Sequence, residues 1–279
     1  MRHLDVRGTR IRCHESGDPA APPVVLLHGI GRSLEDWAAQ HPLLDGEYRV
    51  ISMDMPGFGL SQRMPSPTTL GVLADGVWAT LDELGETRPV HLMGNSLGGA
   101  VSMTMLAGAP ERVSTVTLVN SAGFGKEVTV ALRLLAVPGL GRRMLRRVDR
   151  LTAPRMERMI FADRALVTPE RVEMAIRIAR QPDFASVYLE IAKELGGLRG
   201  VAAAWRADLL ARCAAHVRPT LLVWGDRDLI LPSAHLAAAR TAFPHARWHL
   251  FARTGHMPQI ERPEEFAGLV RPMLAKVSV

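Results

Sequence analysis

Short apolar runs alternate with longer amphipathic segments through most of the chain. The runs have the length of buried strands, and several are followed by turn-forming residues. The predicted buried strands cover residues 24–27, 49–53, 90–93, 115–119, 220–224 and 247–251. Two predicted helices begin at residues 33 and 263, and three others cover residues 68–84, 97–107 and 233–242. This alternation predicts an α/β fold with a mostly parallel, doubly wound sheet covered on both faces.

The strand pattern is interrupted between residues 123 and 217. Strand-like runs disappear there, and helical periodicity takes over in a segment rich in Arg, Met and Leu. Open α/β sheets bind ligands at the carboxyl ends of their strands. We therefore predict a core domain formed by residues 1–122 and 218–279. A helical cap, residues 123–217, is predicted to be inserted over the strand ends.

Composition fits an ordinary globular protein, with 47% hydrophobic and 22% charged residues among 279. No apolar run is long enough to span a bilayer, and the N-terminal segment has no apolar signal core. The two cysteines, Cys13 and Cys213, are far apart in sequence and are expected to be free thiols. We therefore expect a cytoplasmic protein without stable membrane insertion.

The net charge of +6 comes mainly from arginine, and only 5% of the residues are aromatic. This balance does not favour a nucleic-acid partner. Five arginines are predicted to share one cap helix, as its solvated face or as a surface for anionic partners: Arg142, Arg143, Arg146, Arg147 and Arg150. Four methionines are predicted to fill the cap core or to line an adaptable apolar pocket: Met144, Met156, Met159 and Met174.

A candidate catalytic nucleophile lies between a predicted strand and a predicted helix. Gly94, Ser96 and Gly98 fit the pattern G-x-S-x-G. A serine on so sharp a turn adopts a strained backbone conformation, and its hydroxyl then projects from the sheet. The glycines are needed because a Cβ at either position would collide with the neighbouring strand or helix. Ser96 is therefore predicted to be a nucleophile, with a simple helix N-cap as the alternative.

Three other segments follow predicted strands and are expected at the same edge of the sheet. They are His28-Gly-Ile-Gly31, Gly225-Asp-Arg-Asp228 and Thr254-Gly-His256-Met-Pro. The chain order Ser, Asp, His is the order of a nucleophile-elbow hydrolase. Together with Asp-x-Pro-Gly-x-Gly-x-Ser at 54–61, these motifs resemble those of the α/β-hydrolase superfamily from about Val24 onward.

The resemblance implies the α/β-hydrolase fold and an oxyanion hole. The hole would be formed by the backbone N–H groups of Leu97 and Ile30, with Gly31 as the alternative to Ile30. Such preorganised donors are worth about 3–4 kcal/mol each. Neither a metal nor an organic cofactor is expected, because the chemistry of a serine hydrolase requires none.

The residue types themselves define a catalytic triad. A serine hydroxyl such as that of Ser96 needs a base to take its proton, and His256 has a suitable pKa. Asp228 would hold the imidazole in the right tautomer and stabilise the imidazolium. Asp226 competes for this role, but the family's Gly-x-x-Asp spacing favours Asp228. Some relatives carry the acid after the preceding strand, where this chain has Asn120.

The leading hypothesis is a carboxylesterase-like serine hydrolase that cleaves a small to medium apolar ester through an acyl-enzyme. The alternative is hydrolysis of a carbon–carbon bond in a ring-cleavage product of the 2-hydroxy-6-oxo-dienoate type. Asn95 before the nucleophile resembles those enzymes, whereas Arg32 in the oxyanion loop and Met257 after the histidine depart from them. Thioester, lactone and perhydrolysis substrates stay open, as do a non-catalytic ligand receptor and a homo-oligomer.

Overall fold

The computed structural model describes residues 1–135, 137 and 139–275. Its strands are short and mostly buried where they are parallel. They are Arg2–Val6 (β1), Thr9–Ser16 (β2), Pro23–Leu27 (β3), Arg49–Met53 (β4), Val90–Asn95 (β5), Val113–Val119 (β6), Gly196–Gly197 (β7), Gly200–Val201 (β8), Thr220–Gly225 (β9) and Arg247–Phe251 (β10).

The α-helices lie between these strands and in one long stretch after β6. They are His41–Leu44 (α1), Leu70–Glu83 (α2), Leu97–Gly108 (α3), Val130–Leu135 (α4), Leu140–Leu145 (α5), Ala153–Ile160 (α6), Pro169–Ala179 (α7), Phe184–Leu195 (α8), Ala203–Ala214 (α9), His235–Ala242 (α10), Pro258–Glu261 (α11) and Pro263–Leu274 (α12). Short 3₁₀ helices cover Leu34–Gln40, Pro110–Arg112 and Arg164–Leu166.

Eight of the described strands form one sheet in the order β1-β2-β4-β3-β5-β6-β9-β10. The first hairpin, β1–β2, is antiparallel, and β2 is antiparallel to β4. All other neighbours are parallel. The loops that follow the parallel strands therefore meet at one edge of the sheet. The predicted α/β class with a mostly parallel sheet is confirmed.

Helices cover both faces of this sheet. On one face, α2, α3, α9 and α10 enclose a core that includes Leu27 of β3. On the other face, the adjacent side chain Leu26 lies in a core with Trp37 and Phe266 of α12. Neighbouring residues of one strand thus serve opposite faces, as the pleat of a strand requires. No helix among the described residues has the length and apolarity needed to cross a membrane.

The helix expected from Ser33 begins one residue later, at Leu34, and is a 3₁₀ helix up to Gln40. Only then does the chain continue as the short helix α1. Pro42 lies in the first turn of α1 and lacks the N–H that would continue an i→i−4 ladder from the preceding turn. The proline therefore separates the two helical segments.

Residues 123–217 carry α4–α9 and, where the structure describes them, no strand of the large sheet. The expectation that strands disappear there was wrong at β7–β8, a small antiparallel pair. Gly200 allows the reversal because its φ is +99°, a conformation that side-chain-bearing residues rarely adopt. Helices α4, α5, α7 and α8 share a separate apolar cluster, whereas α9 packs on α3. The division into core and cap stays a prediction.

The prediction that one helix in this segment carries all five arginines was wrong. Helix α5 includes Arg142 and Arg143 but ends at Leu145, before the other three arginines. The Asp149 carboxylate accepts hydrogen bonds from the N–H groups of Leu151 and Thr152, at 2.9 Å each. Such a side chain offers the backbone an alternative to the helix, so a turn forms before α6 begins.

Candidate active site

Ser96 occupies the turn between β5 and α3. Its φ of 55° and ψ of −114° lie outside the conformations that an ordinary residue prefers. A Cβ at Gly94 would lie 2.2 Å from the Gly98 carbonyl oxygen, and one at Gly98 would lie 2.3 Å from that of Leu27. Both glycines are therefore required for the close approach of α3 to β3 and β5. The strained turn has the geometry that the G-x-S-x-G pattern predicts.

His256 and Asp228 are brought together by the loops that follow β10 and β9. Their side chains are nearly or fully buried, and Nδ1 of His256 lies 2.7 Å from Oδ2 of Asp228. Oδ1 of Asp228 accepts hydrogen bonds from the N–H groups of Ile230 (2.7 Å) and Leu231 (3.0 Å). Because a carboxylate oxygen accepts hydrogen bonds, its contact with Nδ1 fixes the Nδ1–H tautomer of the ring.

The competing carboxylate, Asp226, is exposed and does not contact the histidine ring. Its Oδ1 accepts a hydrogen bond from the Thr254 N–H at 3.1 Å. Asp226 therefore shapes the loop that carries His256, while Asp228 contacts the imidazole itself.

Asn120 at the end of β6 is a site residue that the sequence analysis treated only as a missing carboxylate. Its Nδ2 donates a hydrogen bond to Oδ2 of Asp228 at 2.6 Å. The backbone φ of 44° lies in the left-handed region, which asparagine tolerates better than most residues. An amide at this strand end is therefore a partner of the acid. The sequence signal that could have identified Asn120 is its position directly after a buried strand.

The backbone of His256 is anchored on both sides of the residue. Its N–H donates to the Ile160 carbonyl oxygen at 2.7 Å, and its carbonyl oxygen accepts from Nδ2 of Asn95 at 3.0 Å. One step earlier, the Gly255 N–H donates to Oε1 of Glu261 at 2.7 Å. The catalytic candidate is thus tied to β5, to α11 and to the end of α6.

Glu261 links the histidine loop to the segment that follows α6. Its Oε2 accepts a hydrogen bond from the Ala162 N–H at 2.9 Å, while Oε1 accepts the bond from Gly255. Burial raises the pKa of the Glu261 carboxyl, and these N–H donors offset part of the rise. Sequence reasoning missed this residue, because only the folded chain brings 162 beside 255.

The loop with the oxyanion candidates is held by a buried histidine. His28 Nδ1 lies 2.7 Å from the Gly29 carbonyl oxygen, and Nε2 accepts the Met55 N–H at 3.0 Å. One ring nitrogen donates and the other accepts, so the ring is neutral, and burial lowers its pKa accordingly. Within the described part of the chain, the N–H groups of Ile30 and Leu97 have no hydrogen-bond partner.

Two apolar cavities meet at Ser96. The larger, of about 150 Å³, also contains His256 and lies beneath α6, α7 and α8. The smaller, of about 80 Å³, extends toward the hairpin β7–β8. Ile30 borders both cavities. The site can therefore hold a group on either side of a carbonyl carbon placed at Ser96.

The predicted methionines divide between two roles. Met156 and Met159 line the larger cavity, as expected for an apolar acyl pocket. Met144 and Met174 instead pack against the apolar cluster shared by α4, α5, α7 and α8. Met156 and Met159 therefore fit the predicted pocket role, and Met144 and Met174 fit the predicted core role.

One charged group at the cavity wall is already paired. Arg32, which follows Gly31 in the chain, donates to both carboxylate oxygens of Asp36, at 2.9 and 2.7 Å. It also donates to Oε1 of Glu157 on α6. Arg171 lies 3.9 Å from Asp36.

Among the described residues, no cluster of three or more His, Cys, Asp or Glu side chains has the geometry of a metal site.

Known proteins resemble this chain over nearly its whole length. It is 34% identical over 262 residues to the dihydrolipoyllysine-residue acetyltransferase component of the acetoin cleaving system of Pseudomonas putida. That match covers 94% of this chain and 65% of the relative, so the chain spans about two thirds of the relative's length. It is 32% identical over 285 residues to the 2-hydroxymuconate semialdehyde hydrolase of Pseudomonas sp. strain CF600, covering 99% of this chain and 94% of the relative.

A solved structure of a thermophilic esterase from Thermogutta terrifontis superimposes with a TM-score of 0.80, at 25% identity over 100% of both chains. The sequence model of the α/β-hydrolase fold family matches residues 22–263. With the strained serine turn and the sheet order described above, these matches show that the chain belongs to the α/β-hydrolase fold family.

Proposed function

We propose that this protein is a serine hydrolase that cleaves a carboxylic ester through an acyl-enzyme. The observation that carries the proposal is the buried 2.7 Å contact between His256 and Asp228, with His256 and the strained Ser96 in one cavity wall. Because Nδ1 of His256 faces Asp228, Nε2 is the ring nitrogen left for the serine hydroxyl.

The steps follow from these positions. Nε2 of His256 takes the proton of Ser96 Oγ as the oxygen attacks the ester carbonyl. Asp228 stays ionised and stabilises the imidazolium. The N–H groups of Ile30 and Leu97 would receive the oxyanion, at about 3–4 kcal/mol of transition-state stabilisation each. The imidazolium then protonates the leaving alcohol, and water, activated by the same histidine, hydrolyses the acyl-enzyme.

The cavities favour an uncharged substrate with apolar groups on both sides of the carbonyl. The larger cavity presents mainly aliphatic and aromatic side chains, and the smaller one is also apolar. The guanidinium of Arg32 is occupied by Asp36 and Glu157, so it offers little attraction to a substrate carboxylate. A small to medium apolar ester therefore fits better than an anionic dienoate.

A carbon–carbon hydrolase is the second candidate, and the similarity to 2-hydroxymuconate semialdehyde hydrolase favours it. Asn95 precedes the nucleophile, but its Nδ2 already donates to the carbonyl oxygens of Val119 and His256, at 3.2 and 3.0 Å. Acyl transfer involving a thioester would use the same acyl-enzyme, and the resemblance to the acetyltransferase component supports testing it.

The test is a chain-length series of p-nitrophenyl esters, run on wild type and Ser96→Ala. Acetyl-thioesters and 2-hydroxymuconate semialdehyde are assayed in parallel. Turnover of esters, abolished in Ser96→Ala, supports the proposal, and the preferred chain length measures the acyl cavity. Cleavage of the semialdehyde with poor ester turnover would assign the chain to the second candidate. Tight ligand binding without turnover of any substrate would indicate a non-catalytic receptor.

A further inference from the structure

Helix α6 contacts two loops that carry candidate catalytic groups. Ile160 is its last residue, and the carbonyl oxygen of Ile160 accepts the N–H of His256 at 2.7 Å. One turn earlier, Oε1 of Glu157 accepts a hydrogen bond from the guanidinium of Arg32, which follows Gly31 in the chain. The same helix also contributes side chains to the wall of the larger cavity. One short helix therefore touches the loop of the base, the loop of the oxyanion candidates and the space for the substrate.

The loop that carries Ile30 and Gly31 is held at both of its ends. At the first end, Gly29 packs against the nucleophile turn, since a Cβ added there would lie 3.3 Å from Cβ of Ser96. At the second end, the N–H of Arg32 closes the turn by donating to the Gly29 carbonyl oxygen at 3.3 Å. A displacement of Arg32 would therefore change where the N–H groups between these two ends point.

The side chain of Arg32 joins this loop to two different parts of the fold. It donates two hydrogen bonds to Asp36, on the 3₁₀ helix of residues Leu34–Gln40, and one to Glu157 on α6. The side chains of Asp36 and Glu157 are only 3% and 2% exposed. A guanidinium is a planar fork of fixed geometry, and its bonds to carboxylates are short and directional. The arginine therefore sets the position of its loop relative to α6.

We infer that Arg32 is a positioning residue, whose ion pair with Glu157 aligns the N–H groups of the oxyanion loop with α6 and with the histidine loop that α6 holds. The inference rests on the proposed ester hydrolysis and adds a residue that acts through the backbone donors of Ile30 or Gly31. A misplacement of about 1 Å can cost about 100-fold in rate. The loss should therefore appear in the transition state, where the oxyanion forms, and not in the binding of the ester.

Glu157→Met removes the acceptor on α6 and keeps the length of the side chain. Arg32 stays paired with Asp36, and the lost Oε2 has no hydrogen-bond partner among the described residues, so no further donor is left unpaired. We expect kcat for a p-nitrophenyl ester to fall by about ten- to a hundredfold, with KM within a few-fold of wild type. Glu157→Gln keeps an acceptor oxygen for Arg32 and should restore most of the activity.

Glu190→Met is the matched control. Glu190 on α8 also pairs with an arginine of the core, because its carboxylate lies 3.0 Å from Arg63, but this pair does not include the oxyanion loop. The variant removes a comparable ion pair and can lower the unfolding temperature. Its kcat should stay within a few-fold of wild type.

An alkyl trifluoromethyl ketone separates donor alignment from general loosening of the fold. Ser96 Oγ adds to the ketone carbon, its proton passes to His256, and the resulting oxyanion occupies the proposed hole. In Glu157→Met the inhibition constant should rise by the factor by which kcat/KM falls. An ester with the same alkyl arm, titrated calorimetrically, should bind Ser96→Ala with and without Glu157→Met to within a few-fold. Equal weakening of ketone and ester, or no weakening of the ketone, would overturn the inference.

Two further measurements keep the outcome decisive. If Glu157→Met does not fold, Arg32→Lys takes its place, because one ammonium group cannot reproduce the fork between the two carboxylates. An unchanged ketone inhibition constant in Arg32→Lys would then overturn the inference. Labelling of Ser96 by an alkyl fluorophosphonate, in which Oγ displaces fluoride from phosphorus, requires no ester turnover. If the wild type hydrolyses no ester but Glu157→Met, unlike Glu190→Met, slows labelling about tenfold or more, the proposed function fails and the inference stands. If Ser96 of the wild type is not labelled, both are overturned.

Discussion

Two walls of the larger cavity meet at Ser96, and they are built differently. The strand-end wall consists of Ser96 and His256, which line the cavity. We include in it Asp228 and Asn120, which lie outside the lining and are linked to His256 by hydrogen bonds; all four residues follow parallel strands. The Asp228 carboxylate has four partners, which include two backbone N–H groups. The cap wall consists of the cavity-lining residues of α6, α7 and α8, which are mostly apolar.

The difference indicates how the two walls would divide the work in the proposed ester hydrolysis. Backbone donors are fixed by the sheet, so the strand-end wall is preorganised and intolerant of change. Apolar contacts in the cap wall are adaptable, and a change of side-chain volume there alters fit more than chemistry. We therefore expect substitutions in the strand-end wall to reduce activity by orders of magnitude, and those of apolar residues in the cap wall to change substrate preference.

Asp228→Asn should give the largest effect. The amide would offer an NH₂ group where Asp228 now accepts hydrogen bonds, and it could not stabilise the imidazolium of His256. We expect kcat/KM for a p-nitrophenyl ester to fall by about 10⁴-fold. Asp226→Asn is the matched control, because that carboxylate bonds to the Thr254 N–H and not to His256, and its kcat/KM should stay within a few-fold of wild type. Equal losses in both variants would contradict the assignment of the acid.

Asn120→Asp should change the pH dependence more than the rate. A carboxylate at the position of Nδ2, 2.6 Å from Asp228 in the wild type, would share a proton with Asp228 until a higher pH than an ordinary aspartate. Once that proton is lost, the added charge would favour the imidazolium of His256. The acid limb of the kcat/KM profile should therefore move to higher pH by on the order of one unit. Asn120→Gly is the control, because glycine tolerates the backbone φ and adds no charge. The acid limb of its kcat/KM profile should not move to higher pH. If the acid limb of the Asn120→Asp profile stayed at the wild-type pH, Asn120 would not act through Asp228.

Glu261→Gln should affect stability first and activity second. Glutamine leaves one of the two clamped N–H groups, Gly255 or Ala162, facing another donor, which costs about 1–3 kcal/mol. Because burial raises the pKa of Glu261, the carboxyl's contribution is fully present below its ordinary pKa of 4.5 and is lost as pH rises through the folded value. The destabilisation of the variant should therefore be larger near pH 4 than near pH 7.

Urea unfolding of wild type and Glu261→Gln at both pH values measures this difference. The control is Glu265→Gln, an exposed change on α12, which should show no comparable pH dependence. A destabilisation of Glu261→Gln that grows as pH rises would contradict the direction of the pKa shift. The kcat should fall only a few-fold, since Asn95 and Ile160 still hold the backbone of His256.

The sequence analysis named Ser96, Asp228 and His256 because they follow predicted strands and match the motifs of the family it resembles. Ser96, Asp228 and His256 each follow an apolar run, and parallel pairing alone brings such positions to one edge. The fold class was predictable for the same reason. Asn120 was visible at its strand end, but its hydrogen bond to Asp228 depends on the pairing of β6 with β9, which no local pattern shows.

The cap wall was not predictable in the same way. The pairing of Arg32 with Glu157 joins residues 125 positions apart, and only the folded chain brings them together. The four methionines of residues 123–217 have similar helical contexts, yet two line the cavity and two pack against the cluster shared by α4, α5, α7 and α8. Helical periodicity gives the buried side of a helix but not whether a cavity or another helix covers it.

Met159→Ala should give the smallest effect and the clearest contrast with the strand-end wall. Removing a flexible thioether from the cavity wall leaves more room for the acyl arm, so the preferred p-nitrophenyl ester should become longer by one or a few carbons. Ester turnover at the new optimum should stay within about tenfold of wild type, because no hydrogen bond to the reacting atoms is lost. Met144→Ala, which changes the packing between cap helices, should lower the unfolding temperature and keep the wild-type chain-length profile. If instead Met159→Ala abolished turnover of all esters, the cap wall would be part of the catalytic machinery rather than a measure of the substrate arm.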